Sequence, residues 1–108
     1  MEFWKELQLP EIIKIDKLVA EFNLQEIKKT PWLNFRVKIF EQQDGTFYGY
    51  TNLQLLKSPN DTKPVSGYGK GKSIEEALIS TVRNFMKIIY EKKDLTDSDF
   101  RAIDPYDF

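Results

Sequence analysis

The apolar positions change period along the chain, and each change marks an element. Between Glu11 and Lys29, Ile12, Ile15, Val19, Phe22 and Ile27 recur at helical spacing among Lys14, Lys17, Glu21 and Lys28, which predicts an amphipathic helix ended by Thr30-Pro31. From Leu33 the period drops to two. Leu33, Phe35, Val37 and Ile39 alternate with Asn34, Arg36, Lys38 and Phe40, as in a strand with one buried face. Gln42-Gln43-Asp44-Gly45 predicts a turn into a second strand, from Thr46 to about Lys57. There Phe47, Thr51, Leu53 and Leu55 share one face and Tyr48, Tyr50, Asn52 and Gln54 the other, so the two strands should form a hairpin. The polar run from Ser58 to Pro64 reads as a loop, and Val65 to Lys70 as a short third strand.

Ser73-Ile74-Glu75-Glu76 then opens a second helix, to about Lys92. A serine followed three residues later by glutamate lets each side chain accept from a backbone donor at the helix start. Ile74, Ala77, Leu78, Thr81, Val82, Phe85, Met86 and Ile89 form a stripe wide enough to face a sheet. The expected fold is α+β in the order α-β-β-β-α: a three-stranded antiparallel sheet packed with helices. Residues 1–93 make one domain, and residues 94–108 an acidic, aromatic tail with a short helical turn capped by Thr96.

Composition narrows the chemistry. The chain has 108 residues, 41% hydrophobic and 14% aromatic, with no cysteine and no histidine. A disulfide framework, a thiolate metal site and the Ser/His and Cys/His nucleophile pairs are excluded. Glu75 and Glu76, adjacent on a helix, point in different directions and make a poor acid/base pair. Asp94, Asp97, Asp99 and Asp104 lack the spacing of a calcium loop. Gly67-Tyr68-Gly69-Lys70-Gly71-Lys72-Ser73 lacks the spacing of a phosphate-binding P-loop. No enzyme activity, cofactor or metal is expected. The N-terminus lacks the pattern of a signal peptide, and no run approaches the roughly 20 apolar residues of a membrane span, so a cytoplasmic protein with no membrane partner is expected.

Charge is unevenly placed. The chain carries a net −1, but the tail from Asp94 holds five acids against Arg101 alone, leaving a mildly basic body. Arg36, Lys38, Phe40, Tyr48 and Tyr50 fall on one sheet face under the strand alternation, the composition of a base-stacking platform for single strands. The competing expectation is that Phe3, Trp4, Leu7, Leu9 and the first helix cover that face. In the tail, Phe100, Ile103, Tyr106 and Phe108 are interleaved with aspartates, and its last six residues resemble the acidic tips with which single-stranded-DNA-binding proteins dock partner enzymes. An apolar anchor surrounded by steering charge is the physical rationale.

Two families share parts of this pattern. Phe35 to Tyr90, with its Asp44-Gly45 turn, glycine-rich third strand and Ser73-Ile74-Glu75-Glu76-Ala77-Leu78 helix start, resembles the core of HicB-like antitoxins. That resemblance implies a partial ribonuclease-H-like fold and neutralisation of a small partner protein. No DNA-binding segment follows the helix. The whole element order is similar to a double-stranded RNA-binding domain, but Ile74, Glu75 and Glu76 stand where that family places lysines, leaving only Lys70 and Lys72 nearby. The expected function is therefore a non-catalytic protein-binding domain, regulatory or accessory, of the kind found in phages and mobile elements. Its partner surfaces would be the aromatic sheet face (Arg36, Lys38, Phe40, Tyr48, Tyr50) and the tail (Phe100, Ile103, Tyr106, Phe108). The alternative is a nucleic-acid-binding module acting through Arg36, Lys38, Lys70 and Lys72. An exposed edge at the third strand leaves a homodimer open.

Overall fold

Among the described residues the sheet has more strands than the hydrophobic pattern predicts, and the helices are fewer. The computed structural model describes residues 2–26, 34–56, 64–91 and 95–108. Among these, five strands form one antiparallel sheet: β1 (Asp16–Gln25), β2 (Asn34–Gln42), β3 (Phe47–Leu55), β4 (Val65–Gly71) and β5 (Phe100–Ala102). They are joined by one α-helix, α1 (Ile74–Tyr90), and the fold remains α+β. The first four strands lie side by side in chain order. β5 pairs with β3 at Leu53 to Leu55, where β4 already holds the other edge, so β5 takes the edge of β3 that β2 leaves after Val37, while Asn34 to Arg36 stay paired with β1.

The predicted three-stranded α-β-β-β-α arrangement is thereby overturned, and the main correction is at the N-terminus. The segment expected to form the first helix contains strand β1, antiparallel to β2 with Phe22 opposite Val37 and Leu24 opposite Phe35. The expected helix end at Ile27 to Pro31, the strand start at Leu33, and most of the predicted loop at Ser58 to Pro64 lie outside the described residues. The misleading signal has a local cause. The register shifts between Leu18 and Ala20, so Val19 is an extra residue in β1, and Val19, Ala20, Phe22 and Leu24 all pack against the core. A bulge of this kind breaks the two-residue alternation. In sequence, Ile15, Val19 and Phe22 then read as one helical stripe.

The β2–β3 hairpin forms as the turn residues require. Gly45 takes φ +87° and donates to Gln42 O at 3.0 Å, while Asp44 Oδ1 accepts from Thr46 N at 2.9 Å. Ser73 caps α1, its Oγ accepting from Glu76 N at 3.1 Å. Glu76 Oε2 reaches back to Lys72 N at 2.6 Å. The helix buries Ala77, Thr81, Phe85 and Ile89 against Phe35, Val37, Ile39, Leu53 and Leu55, with the Phe35 and Phe85 rings 5.1 Å apart.

Alternation in β4 decides where that helix sits. Gly67, Gly69 and Gly71 face it, while Tyr68 and Lys70 face away. A Cβ on Gly69 would stand 2.3 Å from Thr81 N, and one on Gly67 2.4 Å from Phe85 Cβ. Glycine is therefore required there by clearance. Buried Thr51 spans the register shift between β3 and β4, its hydroxyl accepting from Gly67 N at 2.9 Å and donating to Leu53 O at 2.7 Å.

The N-terminal residues do not lie across the second face of the sheet. Phe3–Lys5 form a 3-10 turn that buries Trp4, Lys5 Nζ reaches Glu41 at 2.6 Å, and Gln43 Nε2 donates to Trp4 O and Leu7 O, each at 2.9 Å. This anchors the segment at the hairpin end, on the helix side of the sheet. The tail after residue 94 is docked. A 3-10 turn at Asp97–Asp99, with Asp99 N donating to Thr96 O at 2.9 Å, leads into β5, and Phe100 enters the core.

Two stability outcomes follow from this packing. Gly69→Ala should lower stability by about 2 kcal/mol or more, because its methyl would meet helix backbone and not a yielding side chain. Tyr68→Ala, on the opposite face of the same strand, should cost less than half of that. Urea denaturation of the two variants checks the contrast, and equal losses would contradict helix seating on the glycine face. Phe100→Ala should cost about 3 kcal/mol, as for a large side chain removed from a core. A loss under about 0.5 kcal/mol would show that β5 does not belong to the folded unit.

Candidate functional site

The sheet face turned away from α1 is built from strand alternation alone. Register places Leu18 opposite Phe40, Phe40 opposite Tyr48, Tyr48 opposite Lys70, Tyr50 opposite both Lys38 and Tyr68, and Gln54 opposite Arg101. Cross-strand partners point to the same face, so β1 to β5 all contribute to this surface. No helix covers it, because the one α-helix among the described residues lies on the other side.

The aromatic side chains meet in a ladder across three strands. Phe40 lies 5.3 Å from Tyr48 and 5.8 Å from Tyr50, in both cases with nearly parallel rings, and Tyr48 lies 6.1 Å from Tyr68. These are the separations at which aromatic pairs attract beyond their buried area. Phe108 completes the row, its ring edge-on to Tyr50 at 5.4 Å.

Cations border the ladder. Lys38 Nζ stands 4.5 Å over the Phe108 ring and donates to the main-chain oxygen of Phe108. Lys14 Nζ stands 5.6 Å from the Tyr48 ring centre and 3.2 Å from Asp16 Oδ2. Arg36 pairs with Glu21 at 3.4 Å, in an exposed geometry that contributes little to stability. Lys70 and Arg101 project from the same face and make no ion pair among the described residues. Against these five cations the face sets Asp16 and Glu21, so it is net positive.

Tyr48 is the most constrained group of the site. Its phenol donates to Asp16 Oδ2 at 2.6 Å, while Asp16 Oδ1 is buried without a partner. Burial first, and then the hydrogen bond and charge of Asp16, push the Tyr48 phenol far above its ordinary value. Burial also raises Tyr50. Both rings therefore stay neutral at physiological pH.

The sequence-predicted residues are brought together in part. Arg36, Lys38, Phe40, Tyr48, Tyr50 and Lys70 share the open face, whereas Lys72 lies past the end of β4, in the turn into α1. Of the tail residues, Phe108 joins the face, Tyr106 is 98% exposed, Ile103 is half-buried with its N–H bonded to Asn52 O, and Phe100 is in the core. Tyr68, Lys14 and Arg101 were missed. The Gly-Tyr-Gly-Lys-Gly alternation carried the signal for Tyr68, since glycines facing a helix force Tyr68 and Lys70 onto the opposite side. Among the described residues no three carboxylates converge on a metal-sized site, and no helix is long and apolar enough to cross a membrane.

An apolar groove and a mixed hollow lie outside this face. Leu24, Leu78, Ile79, Val82 and Arg83 line an open groove of about 360 Å³ between β1 and α1. Leu7, Leu9, Ile12 and Ile13 line a hollow of about 300 Å³ beside Gln43, with Ile13 fully exposed.

Comparison of the chain with models of known families, with curated proteins and with solved structures returns no match.

The raised phenols set an alkaline limit. A group whose folded pKa exceeds its unfolded value, here about 10 for tyrosine, contributes stability that is complete below the unfolded value. That contribution is lost as pH rises through the folded one. Urea stability measured across pH should therefore fall above about pH 10, and Tyr48→Phe should flatten that fall. In Asp16→Asn, ultraviolet absorbance of the phenolate should show Tyr48 ionising at lower pH than in the unchanged protein. An unchanged titration would exclude Asp16 as a cause.

Proposed function

We propose that this chain is a non-catalytic binding domain that takes single-stranded nucleic acid on the helix-free sheet face. The aromatic ladder carries the reading: Phe40, Tyr48, Tyr50 and Tyr68 lie adjacent, on a surface bordered by Lys14, Arg36, Lys38, Lys70 and Arg101. Stacked aromatic rings accept bases regardless of sequence, and a cationic border follows the phosphates. Duplexes hide the faces of their bases inside the stack, so a flat aromatic surface favours single strands. The first turn of α1 carries Glu75 and Glu76, which repel phosphate and direct nucleic acid away from that end.

A second reading, protein binding, is the role that the HicB-like resemblance implies. It is supported by exposed Leu9, Ile12 and Ile13 at the N-terminal segment. Such contacts are largely insensitive to salt. Self-association seen by sedimentation in high salt and abolished by Ile13→Lys would favour it.

Fluorescence anisotropy with labelled single-stranded and duplex oligonucleotides tests the first reading. Single strands should bind more tightly. With about three phosphates neutralised, affinity should fall roughly 20-fold between 50 and 200 mM salt. Tyr50→Ala or Tyr68→Ala should weaken binding by about 5-fold or more, the lower bound for loss of one stacked base. Absence of single-strand binding at low salt, or no loss in either variant, would exclude the face as a nucleic-acid platform.

A further inference from the structure

We propose that Tyr50 and Lys38 form a subsite for one nucleotide, with a base against Tyr50 and a phosphate at Lys38, and that Phe108 of the same chain fills this subsite when no ligand is bound. The inference rests on the sheet-face reading and adds to it a defined position and an internal competitor.

The chemistry of the contact supports it. Phe108 presents an aromatic ring to Tyr50 at 5.4 Å and an oxygen to the Lys38 ammonium, which also stands over the ring at 4.5 Å. A nucleotide offers a comparable pair of groups, a flat π-system and a phosphate oxygen that accepts from an ammonium, to the same two side chains. Phe108 and a nucleotide cannot occupy that place together.

The attachment of the segment makes release local. Ile103 N donates to Asn52 O at 2.8 Å and fixes the chain at the end of β5. Beyond it, Tyr106 N donates to Asp104 Oδ1 at 2.9 Å and Phe108 N to Asp104 O at 3.0 Å, a turn that folds the last residues back onto the sheet. Tyr106 is 98% exposed, so Phe108 is the apolar anchor of this turn. Releasing residues 104–108 leaves β5 paired and Phe100 in the core. Asp104 and Asp107 add negative charge beside a cationic face, so the turn opposes phosphate electrostatically as well as sterically. A short tether gives Phe108 a local concentration on the order of millimolar, enough to compete with weak ligands and to yield to tight ones.

The test is anisotropy titration of a labelled thymidine oligonucleotide of about 12 nucleotides, within the range of single-strand sites, against the full chain, Phe108→Ala and the double variant Phe108→Ala/Tyr50→Ala. If Phe108 leaves about one tenth of molecules competent, Phe108→Ala should bind about 10-fold more tightly, and the double variant should lose that gain. In parallel, proton NMR of the full chain should show the Lys38 ε-methylene signals shifted upfield by the Phe108 ring. That shift should disappear in Phe108→Ala and on saturation of the full chain with the oligonucleotide. Equal or weaker binding by Phe108→Ala overturns the plug and leaves the sheet-face reading standing. Persistence of the upfield shift at saturation overturns it too, because ligand and Phe108 would then coexist. If neither the full chain nor Phe108→Ala binds, the inference falls together with the sheet-face reading.

Discussion

The seating of α1 on the glycine side of β4 is the constraint on which the rest of the structure depends. With Cβ atoms absent at Gly67, Gly69 and Gly71, the helix backbone approaches the strand closely enough for Thr81 to lie against Gly69 and Phe85 against Gly67. The cap at Ser73 fixes where the helix begins, so the strand and the first helical turn are set as one unit. Because strand side chains alternate, the same choice that clears one face for the helix sends Tyr68 and Lys70 to the other. Core packing and the open face are two sides of one alternation.

Among the described residues a single helix packs on the five-stranded sheet and covers one face, and the other face carries its own solution. Phe40, Tyr48 and Tyr50 shield one another by stacking, and Phe108 closes one flank. The polar ends are also satisfied, with the Tyr48 phenol on Asp16 and the Lys38 ammonium on the Phe108 oxygen. This surface is apolar enough to stack a ligand and wet enough to remain in solvent. The Arg36–Glu21 pair is exposed and weak, so a phosphate can replace the Glu21 carboxylate at little cost. The acidic tail stays with the sheet through β5, which places its charge next to the basic surface that the rest of the chain builds.

Much of this was legible from residues 34 to 90. The β2–β3 hairpin, the glycine-rich β4, the capped start of α1 and its buried stripe follow from short-range rules, and those rules also put Arg36, Lys38, Phe40, Tyr48 and Tyr50 on one face. β1 was not legible, because Val19 adds a residue to the strand. A sequence read without its partner strand cannot tell a shifted two-residue period from a helical one over ten residues. β5 was hidden for a different reason. Three residues with Phe100 inward and Arg101 outward carry no periodic signal, and they become a strand only because the pairing of β2 with β3 ends at Val37 and Thr51 and leaves the edge of β3 open beyond it.

By itself the sequence determined which side chains share a face, where the chain turns and which chemistries are excluded. These depend on backbone sterics, capping and the absence of histidine and cysteine, all of which act locally or by composition. Only the tertiary structure decided which face stays open, that Tyr68 and Phe108 join the ladder, and that the tail returns to Lys38 and Tyr50. Those outcomes depend on pairing between segments far apart in the chain. Such pairing is selected by the fit of whole surfaces, and no window of neighbouring residues contains it.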